Sequence, residues 1–246
     1  PGFDEPLKLD FKGRFDDIPL TLNGTVGPIW AWVEPGYSLP ANLTVSTGGS
    51  TATIMGELRD PINFKDLAFD ITAQGSSVAE IATLAGLSDV PKLGAVKLAA
   101  RVSDPAGKLA VKNLDVQIGN QERLAISLSG DLADVFALRG ANLNFSVQGQ
   151  DSAKLAQFGL PELPEQGAFK VTAQISDPEA KVFNVNDLNV VLGENEVNGQ
   201  ANLNLAKKVP VLTTRLTSQK FRFGPFNLDL EMTDPLEKPA VKKIDL

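Results

Sequence analysis

Few residues in this chain could do chemistry, and the types it lacks narrow the choice first. It contains no His and no Cys. That excludes every Ser-His or Cys-His nucleophile, every zinc site built on imidazole or thiolate, disulfides and c-type haem attachment. Paired carboxylates, Lys chemistry and oxygen-ligated metals remain. Glu162 with Glu165, and Asp16 with Asp17, are close carboxylate pairs, but they stand in Pro-rich or polar sequence where a solvated charge is the default. Four Asp-Pro dipeptides (Asp60-Pro61, Asp104-Pro105, Asp177-Pro178 and Asp234-Pro235) read as hairpin corners. In these, Pro presets one turn dihedral and Asp can bond its own backbone. Calcium would need several carboxylates in one loop, and no D-x-D/N-x-D/N-G loop occurs. No G-x-x-x-x-G-K or G-x-G-x-x-G turn is present either. No catalytic residue, metal ligand or cofactor is assigned, and the chain is expected not to be an enzyme.

The elements that would have to hold a site are written in a period of two. Leu67, Phe69 and Ile71 alternate with Ala68, Asp70 and Thr72, and Val96, Leu98, Ala100 and Val102 with Lys97, Ala99, Arg101 and Ser103. The same holds for Leu143, Phe145 and Val147, for Phe169, Val171, Ala173 and Ile175, and for Val197, Leu203 and Leu205 among asparagines. Such alternation specifies strands with one apolar and one polar face, the pattern of antiparallel sheet wetted on one side. Two segments break it. Residues 77–85, after Ser76 or Ser77 and before Gly86, and residues 151–158, before Gly159, are spaced as two-turn helices.

These elements recur. Gly56 and Gly130, Gly75 and Gly149, and Gly119 and Gly193 stand 74 residues apart. Pro91 and Pro164, Gly94 and Gly167, and Ser103-Asp104-Pro105 and Ser176-Asp177-Pro178 stand 73 apart. The chain divides into a degenerate copy over 18–55, repeats over 56–129 and 130–198, and a partial copy over 199–246. A unit that cannot bury its own apolar face must stack on its neighbours. The expected fold is therefore mainly β: one extended domain, an elongated curved antiparallel sheet of ~73-residue repeats, with short helices between strands.

Composition agrees with a folded soluble chain. Of 246 residues, 43% are hydrophobic and 22% charged, which excludes wholesale disorder. The net charge of −7 makes nucleic acid an unsuitable partner, because phosphates are neutralised by Lys and Arg. Adhesion to anionic lipid by charge alone is equally disfavoured. No stretch approaches the ~20 apolar residues of a membrane-spanning helix. The opening Pro1-Gly2 reads as the start of a piece of a longer polypeptide, so that any targeting or anchoring segment would fall outside it.

A family likeness is carried by particular runs: Ile18-Pro19-Leu20, Leu22, Gly24, Val26-Gly27, then Ser38-Leu39-Pro40 and Asn42-Leu43. It continues through Gly48 to Leu58 with Pro61, Leu67, Phe69, Ile71 and Gly75, the Val90-Pro91 and Leu163-Pro164 exits, and Leu192-Gly193. Over roughly residues 7 to 223 the chain resembles the AsmA family of bacterial envelope proteins, related to the TamB translocation-and-assembly group. The resemblance rests on spacing and residue class and fixes no functional residue. It implies a periplasmic protein, anchored in the inner membrane by an N-terminal helix absent from this sequence. It further implies an apolar β-groove conducting phospholipids between inner and outer membranes in support of outer-membrane biogenesis. The implied partners are phospholipid acyl chains and inner- and outer-membrane proteins.

An apolar sheet face needs a cover: a second sheet, the short helices, or bound acyl chains in a trough. On the trough reading its lining is Phe69, Ile71, Leu98, Val102, Val116, Ile118, Phe145, Val147, Phe169, Val171, Ile175, Val190, Leu192, Leu203, Leu205 and Leu216. The alternative is a structural or adhesive β-repeat scaffold that binds protein partners through its sheet edges and holds no lipid. Trp30, Trp32 and Tyr37 gather both tryptophans and the only tyrosine. If extended, that segment puts Trp30 and Trp32 on one face, suited to a membrane interface or to an apolar cap over the first strands. Phe221, Phe223 and Phe226 read as core at the other end of the sheet.

Overall fold

The computed structural model describes residues 5–15, 18–79, 81, 93–120, 124–152 and 167–220. Among them the period-two segments become thirteen strands. The first five are β1 (Leu7–Phe15), β2 (Ile18–Val26), β3 (Leu39–Thr47), β4 (Ser50–Asp60) and β5 (Lys65–Gly75). β6 (Val96–Ser103), β7 (Ala110–Asn120), β8 (Leu124–Leu132) and β9 (Asn142–Gly149) follow. β10 (Phe169–Glu179), β11 (Val182–Leu192), β12 (Asn195–Asn204) and β13 (Val211–Lys220) complete the set.

All thirteen belong to one open antiparallel sheet whose spatial order is the order in sequence. Substantial contacts among the described elements run only between adjacent strands and between β5 and a 3-10 turn at Pro105–Gly107. There is one layer. Strands spaced about 4.8 Å apart make a sheet about 58 Å across, and strands of this length run about 30 Å.

The connections alternate between two long edges of the sheet. The upper edge carries β2–β3, β4–β5, β6–β7, β8–β9, β10–β11 and β12–β13. The lower carries the others. Buried apolar residues sit at strand ends: Leu39, Leu58, Ala110 and Val182 near the upper edge, Val96, Phe169 and Leu192 near the lower. Mid-strand apolar residues are half-buried at most.

The Asp-Pro dipeptides mark the upper edge, but not all as simple corners. Asp60 closes β4 and its carboxylate accepts from the backbone N–H and side-chain amide of Asn63, a local Asx turn. Asp177-Pro178 lies inside the last residues of β10, with the turn itself at Ala180 and Lys181. Its carboxylate accepts instead from the backbone N–H groups of Gly140 and Ala141, ahead of β9, and pairs with Arg139 at 3.2 Å. Asp104 does the same 73 residues earlier, accepting from the N–H of Asp66 at 3.1 Å and of Leu67 at 2.6 Å, where β5 begins. Asp234-Pro235 lies outside the described residues.

Most of the two expected helices also lies outside them. Of 77–85, Val78, Ala79 and Ile81 are helical. Of 151–158, only Asp151 and Ser152 are described. The described single-turn elements are 3-10: Pro105–Gly107 and Ile29–Trp32.

Candidate functional site

Register decides which side chains share a face, because cross-strand partners point the same way. Phe69 stands opposite Val102, Ile71 opposite Ala100, and Leu98 between Ala73 and Val116. Val116 and Ile118 continue to Leu128 and Ile126. Those meet Phe145 and Val147, which meet Ala173 and Val171. Ile175 faces Val185, Val171 faces Val190, and Phe169 faces Leu192. Leu203 lies opposite Phe183 and Leu212, and Leu216 opposite Gly199. The proposed lining residues within strands thus share one continuous apolar face. The register keeps it continuous through the bulges at Val111–Leu114 and Val185–Leu188.

Three of the proposed lining residues stand apart from the open middle of this face. Leu205 lies beyond the end of β12, in the exposed connection to β13, where alternation no longer governs its direction. Its N–H is tied to Lys181 O. Phe169 and Leu192 are buried against each other, with Leu124 and Val147 packed on them. They are lower-edge core rather than open surface.

Sequence reasoning also missed how far the face reaches. Gly24, Leu43, Ile54 and Ile71 form one row across β2 to β5, and in the next row Phe11 of β1 stands opposite Leu22, which stands opposite Val45. The alternation in 20–26 and 39–45 was the available signal.

Glycines on this face bring the backbones close. Gly24, Gly56 and Gly130 have φ of +150°, +153° and +132°. A Cβ built on any of them would lie 2.0 Å from a carbonyl oxygen of the next strand, at Asn42, Ala68 or Asn142. A Cβ on Gly199 would lie 2.2 Å from Arg215 O.

The opposite face is polar. Amides bridge β11 and β12 there: Asn202 donates to Asn184 at 2.7 Å and Asn189 to Asn198 at 2.8 Å. Shallow open hollows of about 330–370 Å³ are lined mainly by this face, by Asn, Gln, Ser and Thr. No cluster of metal-ligating side chains occurs among the described residues. The carboxylate pairs Asp16/Asp17 and Glu162/Glu165 lie outside them, as does the Phe221, Phe223 and Phe226 cluster. Among the described carboxylates, Glu57 and Asp60, both partly exposed, have displaced titration. A hydrogen bond from Arg59 lowers Glu57, and the Asn63 side chain lowers Asp60.

The aromatic segment departs from the extended expectation. Ile29–Trp32 is a 3-10 turn, so successive residues rotate and the two indoles do not share a face. Trp30 packs with Val26, Leu67 and Phe69 on the buried Ala31, Leu39 and Leu58, and meets Tyr37 edge-on at 4.3 Å. Trp32 is exposed. The segment therefore caps the upper ends of β2 to β5.

Comparison with known protein families, curated proteins and solved structures yields no match. No described helix is long and apolar enough to cross a membrane.

Proposed function

We propose that this chain is a non-enzymatic envelope protein of the AsmA type. On this reading its apolar sheet face holds and conducts phospholipid acyl chains between the inner and outer membranes, in the periplasm. The carrying observation is the continuous apolar face of a one-layer sheet with no described element packed over its middle. Its nominal area is about 1,700 Å², several times the ~300–600 Å² of the largest apolar patch on a typical soluble monomer. Something must cover it. An acyl chain gains about 0.8 kcal/mol per buried CH₂, so one of about fifteen methylenes lying half-buried gains roughly 6 kcal/mol.

The glycines favour a trough. Gly24, Gly56, Gly130 and Gly199 all lack a Cβ on the apolar side, which lets the sheet close toward that face. Recurrence of the Asp104 and Asp177 clamps 73 residues apart supports a sheet built from repeats. In this mechanism no bond is made or broken: acyl chains slide along Ile71, Leu98, Val116, Phe145 and Val171 while headgroups stay in water.

The scaffold reading keeps one observation of its own: among the described residues β13 is an edge strand with mostly exposed side chains, and an edge strand can pair with another chain. Detergent-free purification from a bacterial host, then native mass spectrometry and organic extraction, separates the two. Stoichiometric phospholipid on the folded chain is expected. A homogeneous lipid-free monomer would hand the lead to the scaffold.

A further inference from the structure

The upper edge at β2–β5 carries a surface that the acyl-holding reading does not use. The β2–β3 connection and the β4–β5 turn stand side by side there, because Ala31 packs onto Leu39 of β3 and Leu58 of β4. Inside, these form the cap described above. Outside, they expose Ile29, Trp32, Val33 and Tyr37 from one loop and Ile62 and Phe64 from the other. Val33 is 76% exposed and Phe64 68%, values that leave such side chains no role in holding the fold. Residues 28–38 and 61–64 contain one formal charge, Glu34. Beside them the Asp60 carboxylate is turned onto Asn63 and Glu57 onto Arg59.

We propose that these two loops form a wedge that inserts into the interfacial layer of a lipid bilayer, through apolar and amphipathic side chains rather than charge. Trp and Tyr carry an apolar ring with a polar tip, the combination that favours the headgroup boundary. The charge balance selects the kind of membrane contact. A wedge with one carboxylate on a chain of net charge −7 gains nothing from anionic headgroups, so it matches a zwitterionic surface. Sheet twist limits the contact to this corner. With strands rotating by about 20–25° each, a flat bilayer meets one stretch of the edge at a time, and the exposed Phe136, Leu138 and Val209 lie on the distant β8–β9 and β12–β13 connections.

The chain supplies its own reporter, since both tryptophans lie in the wedge. Addition of phosphatidylcholine vesicles to the full chain is expected to shift its emission to the blue. Lipid brominated along the acyl chains should quench it, and raising the salt to about 1 M should leave binding unchanged, because screening acts on charge pairs. A combined Trp32→Ser, Val33→Ser, Phe64→Ser variant should keep the wild-type circular dichroism and lose at least about tenfold in vesicle affinity. Binding confined to anionic vesicles, undiminished binding by the variant, or emission indifferent to lipid would each overturn the wedge. So would a blue shift that follows protein concentration without lipid, which would assign the surface to a second copy. Phe145→Asp, on the apolar face, separates this from the acyl-holding reading: it should abolish co-purified lipid and leave docking intact.

Discussion

At the scale of single residues, the carboxylates here act as clamps rather than as acids or ligands. Asp177 is almost wholly withdrawn from water, with its side chain 1% exposed, and accepts from two backbone N–H groups and from Arg139. Replacing it by Ala leaves two donors without their acceptor and one cation without its partner. The expected loss is about 2–4 kcal/mol, read as a lower urea midpoint. Asp104→Ala should cost less, about 1–2 kcal/mol, because it has two backbone partners and no cation in its clamp. Asp60 titrates with a sign that can be checked. Its folded-state value is depressed by Asn63, so its contribution is present above the ordinary carboxylate range near pH 4 and is lost as pH falls through the folded value. Asp60→Asn keeps an Asx-turn side chain with nothing to titrate, and its melting temperature should lack that acid slope. The dipeptides were legible as turn chemistry, yet their partners were not. Asp104 reaches 37 residues back to Leu67, and local spacing carries no information about which strand comes to lie alongside.

At the scale of elements, alternation held as far as the backbone stayed extended and failed where it did not. Leu67 to Ile71 and Phe169 to Ile175 were readable because a period of two has one structural meaning when one face is apolar. Leu205 stands one residue past the end of β12, where the period of two no longer fixes a face. The Trp30 and Trp32 pairing failed because Pro28 leads into a 3-10 turn, where successive residues rotate by about 120° rather than 180°. The glycines were visible as periodic letters, but their reason is the approach of the neighbouring backbone. Gly56→Ala therefore tests the sheet directly. Its Cβ would meet Ala68 O at 2.0 Å in a backbone conformation open mainly to glycine, and the expected cost exceeds about 2 kcal/mol. Gly48→Ala, with open space around its Cβ, should stay within about 0.5 kcal/mol of wild type. Equal melting temperatures for the two variants would remove the close approach as a constraint.

At the scale of the whole molecule, one layer with contacts only between neighbours makes stability local. In a two-layer domain a core residue touches both layers, and loss of one contact is felt throughout. Here β4 and β10 share no substantial contact, and what happens at one reaches the other only through the strands between. Such a chain behaves as a row of coupled units rather than as one all-or-none fold. Asp177→Ala should accordingly raise amide exchange in β9 and β10, the strands that its clamp joins, and in the adjoining β11, while β3, β4 and β5 keep wild-type protection. Gly56→Ala should give the mirror result, loosening β3 to β5 and sparing β9 to β11. Hydrogen exchange read by mass spectrometry at the peptide level resolves the two regions. A uniform rise across all thirteen strands in either variant would mean that the sheet is coupled through a body covering its apolar face. Lipid gives the same experiment a second use. An acyl chain lying across many strands ties distant units together, so delipidation should sharpen the difference between the two ends, and restored lipid should blunt it.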